Sequence, residues 1–69
     1  PLLSQSLRVN RGEGDIATEF SALAAEFSDL SMGSYPFTFN GSFGTNLVIR
    51  GTDAARIDAA MLRLVALFG

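Results

Sequence analysis

The chain contains no cysteine and no histidine. Disulfide bonds, thiolate nucleophiles, imidazole bases and the usual zinc ligands are therefore excluded. Lysine is also missing, so five arginines stand against seven carboxylates and give a net charge of −2. Nucleic-acid binding proteins usually carry a basic excess that releases counterions from phosphate. The composition favours neither protein-only catalysis nor nucleic-acid binding.

Long apolar runs are missing as well. No stretch approaches the roughly 20 apolar residues needed to cross a bilayer, and no basic-plus-apolar signal sequence opens the chain. We therefore expect a cytoplasmic protein with no membrane partner. With 69 residues, 48% of them hydrophobic, the chain has room for one small folded domain. The start at Pro1 fits a natural N-terminus from which methionine was removed, but we expect residues 1–69 to be a single accessory domain excised from a longer protein.

The first third of the chain predicts a strand followed by a helix. Residues 4–10 alternate, with Leu7 and Val9 on one face and Arg8 on the other, which is typical of a half-buried strand. After two glycines, Asp15 is expected to cap the helix. The apolar stripe expected on that helix comprises Ile16, Phe20, Leu23, Ala24 and Phe27.

The middle of the chain is rich in aromatic and β-prone residues. Residues 30–39 predict a second strand on which Tyr35, Phe37 and Phe39 share one face. We expect this face to belong to the core rather than to a platform for stacked bases. Pro36 has no backbone N–H to donate, which predicts an edge strand, a bulge or a break.

Turn residues separate this strand from a third one at residues 45–51. An Asn-Gly pair between strands is a strong hairpin signal. The same segment contains the Gly-x-x-Gly pattern with which KH domains clamp a nucleic-acid backbone, but here it lies between strands and lacks basic residues. A plain turn is favoured; closure over a nucleotide bound elsewhere is an alternative. The candidate loop comprises Gly41, Ser42, Phe43 and Gly44.

A second amphipathic helix completes the order β-α-β-β-α. Thr52 or Asp53 is expected to cap it. Two helices with one apolar face each predict an α+β fold, a two-layer sandwich with both helices on one face of a three-stranded sheet, like a ferredoxin-like half or a KH-like domain. If strands one and three lie parallel and adjacent, the first crossover is right-handed. The second apolar stripe comprises Ile57, Met61, Leu64, Val65 and Phe68.

The sheet face that the helices leave uncovered supplies a candidate interaction surface. Arg8 and Arg50 are predicted on it, where they suit bidentate pairing with carboxylates of a neighbouring domain. No catalytic, cofactor-binding or metal-binding residue is assigned, because nearby acids such as Glu13 and Asp15 have no partner base or metal-ligating companion. The candidate surface comprises Arg8, Tyr35, Asn46, Val48 and Arg50.

Two segments, Met32–Phe37 and Phe43–Asp53, resemble a block found in CinA-like, competence/damage-inducible or molybdopterin-binding proteins. Similar blocks occur in the molybdopterin-binding-like part of eukaryotic FAD synthases. The resemblance covers about residues 6–67 and is most specific at Gly33–Pro36 and Val48–Asp53. It implies a small KH-like domain beside a larger domain with a MoaB/Mog-like fold, in a parent protein similar to nucleotide pyrophosphatases.

The resemblance further implies a non-catalytic accessory domain without a cofactor of its own, while molybdopterin or a nucleotide is bound by the parent protein. Its expected partner is the parent domain or a second subunit in a homodimer, and not nucleic acid. The alternative is a weak KH-like module that binds single-stranded nucleic acid through Arg8, Arg50 and the aromatic strand.

Overall fold

Five elements follow one another in the order strand, helix, strand, strand, helix, as the hydrophobic periodicity predicts. The computed structural model describes all residues, 1–69. Neither helix is long and apolar enough to span a membrane. The elements are β1 (Leu3–Val9), α1 (Glu13–Glu26), β2 (Ser31–Phe39), β3 (Ser42–Gly51) and α2 (Ala54–Phe68).

The sheet has the strand order β1-β3-β2, and β3 is antiparallel to both neighbours. The first and third strands are therefore adjacent but antiparallel, so the condition for a right-handed crossover between parallel strands is not met. Because β3 returns from β2 through a hairpin, it runs opposite to β2, and β1 is parallel to β2 with β3 between them. Pro36 pairs with Thr45 in an uninterrupted register. Its strand is at an edge, which confirms the first of the three readings of this proline.

The hairpin turn is shorter than the candidate loop. Phe39 pairs with Ser42, so only Asn40 and Gly41 lie outside the strands, with φ of 50° and 79°. Two left-handed residues in succession match the right-handed twist of the flanking strands. The prediction of a turn here is confirmed, but the loop boundary at Gly44 is wrong, since β3 begins at Ser42.

The two helices begin differently. Asp53, one of the two predicted caps, begins α2 by accepting hydrogen bonds from the backbone N–H groups of Ala55 and Arg56 at 3.0 and 3.3 Å. Asp15 does not cap α1, because that helix begins two residues earlier, after Gly12, and has no side-chain cap. Asp15 instead lies in the first turn, where its negative charge interacts favourably with the positive end of the helix dipole.

Both helices cover one face of the sheet and share a single core with it. The predicted stripes supply most of this core, although Ala24 and Met61 are only partly buried. Val65 is 48% exposed, whereas Ala60, which the stripe omits, is fully buried. The core comprises Val9, Ile16, Phe20, Leu23, Phe27, Leu47, Ile49, Ile57, Ala60, Leu64 and Phe68.

Candidate docking face

The sheet face opposite the helices carries no covering element. Leu47 and Ile49 of β3 are fully buried under the helices. On the neighbouring strand β2, Ser34 pairs with Leu47 and Met32 pairs with Ile49. Since side chains alternate along a strand, the neighbouring residues point the other way. We call this the outer face; it comprises the even-numbered residues of β1 and β3 and the odd-numbered residues of β2.

All five residues of the candidate surface lie together on the outer face. Asn46 is central, because Arg8 pairs with it from β1 and Tyr35 pairs with it from β2. Val48 and Arg50 follow on the same face of β3. The structure therefore places the predicted residues in one continuous patch; that they bind a partner stays a prediction.

The expectation that the aromatic face of β2 belongs to the core is wrong. Tyr35, Phe37 and Phe39 do share a face, but it is the outer one, and Tyr35 and Phe39 are 50% and 63% exposed. The register explains this outcome, because Met32 is the β2 residue that pairs with buried Ile49 and packs against the core. Three of the six phenylalanines belong to the core: Phe20, Phe27 and Phe68.

A stacked pair of side chains at one end of the patch was not predicted from the sequence. The guanidinium of Arg8 lies 4.3 Å from the ring centroid of Phe37, although β3 separates their strands. Gly44 makes this possible, since it pairs with Phe37 and a Cβ there would fall 2.7 Å from the ring. A glycine paired with an aromatic residue on the neighbouring strand is the sequence signal that could have indicated the contact.

The outer face is positively charged although the domain is acidic overall. Arg8 and Arg50 lie on it and form no ion pair, whereas Arg56 and Arg63 pair with Asp29 and Glu26 on the helix side, each at 2.8 Å. No acidic residue lies on the outer face. The seven acids occupy the helices and their flanking residues: Glu13, Asp15, Glu19, Glu26, Asp29, Asp53 and Asp58.

The helix-side ion pairs shift the titration of their carboxyl groups. Hydrogen bonds from Arg63 lower the pKa of Glu26, and hydrogen bonds from Arg56 lower the pKa of Asp29. Both arginines bind bidentately, with Nε and a terminal nitrogen of Arg56 at 3.0 and 2.8 Å from Asp29. These groups are engaged with each other, and neither pair lies on the outer face.

The Gly-x-x-Gly segment does not form a KH-type clamp. Its residues belong to a hairpin, and they point to both sides of the sheet, with Ser42 and Gly44 on the outer face. Phe43 lies on the helix side next to Gly12, where it is 63% exposed beside an open cleft of about 370 Å³. A clamp for a nucleic-acid backbone needs the loop to join two helices with its backbone open, so the KH-like reading lacks structural support.

The family model described as FAD synthase, middle domain, matches residues 1–69. The chain belongs to this family. The predicted membership of the CinA-like, competence/damage-inducible, molybdopterin-binding family is therefore wrong. The alternative prediction of a KH-like nucleic-acid-binding module is not supported either. No curated protein and no solved structure matches this FAD synthase middle domain significantly.

The two segments that carried the CinA-like resemblance have structural roles that explain the error. Gly33–Pro36 lies within the edge strand β2, and Val48–Asp53 ends β3 and caps α2. Residues that build a strand end and a helix cap are required by the fold itself. Such segments can recur in more than one family, and they do not decide between FAD synthases and CinA-like proteins.

Proposed function

We propose that this FAD synthase middle domain is a non-catalytic docking module whose outer face packs against a neighbouring domain of the same enzyme. One observation carries the proposal: Arg8 and Arg50, neither in an ion pair, share with the exposed Tyr35 a sheet face that no helix covers. An uncovered face with aromatic and arginine residues has the composition of a protein interface.

The charge of the outer face indicates the chemistry of the docking surface. Guanidinium groups suit bidentate hydrogen bonds with carboxylates, so the partner surface carries acidic residues opposite Arg8 and Arg50. Beside them on the same face, Tyr35 and the half-buried Val48 offer apolar surface. Two copies of the domain do not fit face to face here, because four arginines would meet without a carboxylate. A chemically different domain of the enzyme does fit.

Formation of FAD and binding of its nucleotide substrates are assigned under this proposal to the other domains of the enzyme. What supports this assignment is the position of the acids, which lie on the helix side, with Asp29 and Glu26 held by arginines. General acid–base catalysis needs convergent groups free to exchange protons. That the enzyme works in the cytoplasm stays a prediction.

The test is hydroxyl-radical footprinting of the complete enzyme that contains this domain, compared with the 69-residue chain. Tyr35 and Phe43 are 50% and 63% exposed and lie on opposite sides of the sheet, so Phe43 is the internal control. We expect labelling of Tyr35 to fall in the complete enzyme while Phe43 stays labelled.

Two variants sharpen the result. Arg50→Glu reverses a charge on the outer face, and we expect it to restore labelling of Tyr35 in the complete enzyme. Ala66→Glu adds a carboxylate at an exposed site on the opposite side of the molecule, and it is expected to leave the protection unchanged. Equal labelling of Tyr35 in the complete enzyme and the isolated chain would overturn the proposal.

A further inference from the structure

The outer edge of β1 has backbone groups without hydrogen-bond partners. Phe39 and Ser42 close a two-residue hairpin and therefore exchange hydrogen bonds, so the even-numbered residues of β3 bond to β2 and its odd-numbered residues bond to β1. On β1, the N–H and C=O groups of Ser4, Ser6 and Arg8 consequently face away from the sheet. They form a seven-residue edge that can accept another strand.

This edge lacks the usual protection against strand pairing. Natural edges are blunted by proline, lysine or a bulge, and β2 has Pro36 at an outward position. β1 contains no proline, its pairing with β3 runs without a break from Leu3 to Val9, and its one charged side chain, Arg8, is stacked on Phe37 on the outer face. The two edges of the sheet therefore differ, and β1 is the one open to a partner.

An apolar strip lies directly beside this edge. Met61, Leu62 and Val65 project from the flank of α2 next to β1, where Gln5 donates a hydrogen bond to Asp58 at 2.7 Å. Together these five residues line an open groove of about 340 Å³. Leu62 is 74% exposed. A free strand edge and an apolar helix flank thus form one surface.

Unmatched charges lie at the two ends of this surface. Asp58 is near the start of α2; its side chain accepts a hydrogen bond from Gln5 and forms no ion pair. Arg11 lies near the end of α2, with its guanidinium 5.5 Å from the ring of Phe68, and it forms no ion pair. Positions 58 and 68 are about 15 Å apart along the helix, so Arg11 and Asp58 do not meet within one chain.

We propose that two copies of this domain pair through their β1 edges in antiparallel fashion, with a two-fold axis near Leu7. The three-stranded sheets join into one continuous sheet, and the two α2 helices lie antiparallel with Leu62 near the axis. Arg11 of each copy then lies beside the partner's Asp58. The interface is self-complementary, as a two-fold dimer requires.

The register of the proposed pair avoids a clash of charges. With the axis at Leu7, Ser6 lies opposite the partner's Arg8, so no two arginines face each other directly. Ser6 and Arg8 both have outward backbone groups, which allows them to exchange hydrogen bonds across the axis. The outer face stays uncovered in this dimer, so the inference goes beyond the docking function proposed above and does not depend on it.

Sedimentation equilibrium of the 69-residue chain tests the dimer, with measurements from about 10 µM to about 1 mM, the range in which a weak dimer forms. We expect the mass to rise from 7.3 kDa toward twice that value. Arg11→Glu and Asp58→Arg are each expected to raise the dissociation constant by about tenfold, since each places like charges together.

The double variant Arg11→Glu with Asp58→Arg decides the geometry. It restores opposite charges only between copies, because the two positions are distant within one chain, and we expect dimerisation to recover toward the unmodified level. Ala17→Glu, at an exposed site on α1 and therefore away from the strip, is the matched control and is expected to leave the mass unchanged. Failure of the double variant to dimerise better than either single variant would overturn the proposed pairing.

Hydrogen exchange gives a readout that does not depend on the variants folding. In the dimer, the outward amides of Ser6 and Arg8 become protected as concentration rises, while the outward amides of β2 do not. A chain that stays monomeric at every concentration, or protection confined to β2, contradicts the proposal. So does a Leu62→Glu variant that dimerises as well as the unmodified chain.

Discussion

Gly44 allows a side chain of β2 to contact a side chain of β1 across β3. The residue is buried although it lies on the uncovered face, because the ring of Phe37 covers it. Any side chain there would meet that ring and the backbone carbonyl oxygen of Val9. The absence of a Cβ thus allows Phe37 to reach Arg8 and to hold its guanidinium over the sheet.

Replacing this glycine is expected to destabilise the domain. Gly44→Ala forces the backbone of β1 or the ring of Phe37 to move, and overpacking of this kind costs about 1–3 kcal/mol. Gly14→Ala is the matched control: a Cβ at Gly14 meets no atom within 4 Å, and alanine in a helix is favoured over glycine by about 0.5–1 kcal/mol. Urea unfolding followed by circular dichroism should therefore show opposite changes in the two variants.

Single residues differ in how well the sequence predicts their roles. Asp53 was predictable as one of two candidate caps with Thr52, because a side-chain oxygen directly before an apolar-periodic segment can accept from the free N–H groups of the first turn. Asp15 was not, since Glu13, Gly14 and Asp15 are all compatible with a first turn and the stripe does not fix where that turn begins. The Arg8 stack depends on which residues of β2 and β3 face each other, and this register is not visible before the hairpin turn is placed.

At the scale of elements, two bidentate ion pairs connect α1 and the loop after it to α2. Arg63 reaches Glu26 at the end of α1, and Arg56 reaches Asp29 just beyond it. Arg56 also lies 4.6 Å from the ring centroid of Phe27, so it covers a core residue while pairing with an acid. The pairs thus fix the relative position of the helices on the side of α2 away from β1.

These pairs predict a pH dependence of stability. Because hydrogen bonds from the arginines lower the pKa of Glu26 and Asp29 in the folded domain, folding favours the charged forms. Their stabilisation is complete at neutral pH and is lost as the pH falls through the lowered values. The melting temperature should therefore drop between about pH 5 and about pH 2.5.

The variant Glu26→Gln with Asp29→Asn removes both titrating groups, and it should show a smaller difference in melting temperature between these pH values than the unmodified chain. Glu19→Gln, which neutralises an exposed acid that has no arginine partner, is the control and should keep most of the difference. If all three proteins lose stability equally on acidification, the ion pairs do not contribute.

The elements and their order were predictable from periodicity, but the face that each element buries was not predictable in every case. The apolar stripes of both helices predict which side is buried, and the structure confirms these buried sides. On β2 the alternation shows that Tyr35, Phe37 and Phe39 share a face, but it leaves open which face is buried. The buried face of β2 depends on its register with β3, which places Met32 beside Ile49 and against the core. The sequence of β2 alone does not contain this information.

At the scale of the whole molecule, the domain separates its charges. The sheet side carries Arg8 and Arg50 without acids, and the helix side carries every acid. This arrangement follows from sequence alternation once the strands are known, so the candidate patch could be predicted. The open edge of β1 and its neighbouring strip on α2 could not, because they depend on strand order and on which flank of α2 lies beside Gln5.

The small core makes the domain sensitive to loss of one large side chain. A stability of about 0.05–0.15 kcal/mol per residue gives a 69-residue domain only about 3–10 kcal/mol in total. Phe20 and Phe27 are 7% and 6% exposed, and truncating a buried phenylalanine to alanine costs about 3–5 kcal/mol. We expect Phe20→Ala and Phe27→Ala each to leave the isolated domain largely unfolded.

The matched control for this prediction is Phe39→Ala, which removes the same group from a position that is 63% exposed. Little of that ring is withdrawn from water, so its loss should cost less than about 1 kcal/mol. Thermal unfolding followed by far-ultraviolet circular dichroism should show a cooperative transition for Phe39→Ala and none, or one shifted far down in temperature, for the two core variants. Normal cooperative melting of Phe20→Ala and Phe27→Ala would mean that the core tolerates the cavity, and that the stability of this domain rests on more than the contacts between its helices and the sheet.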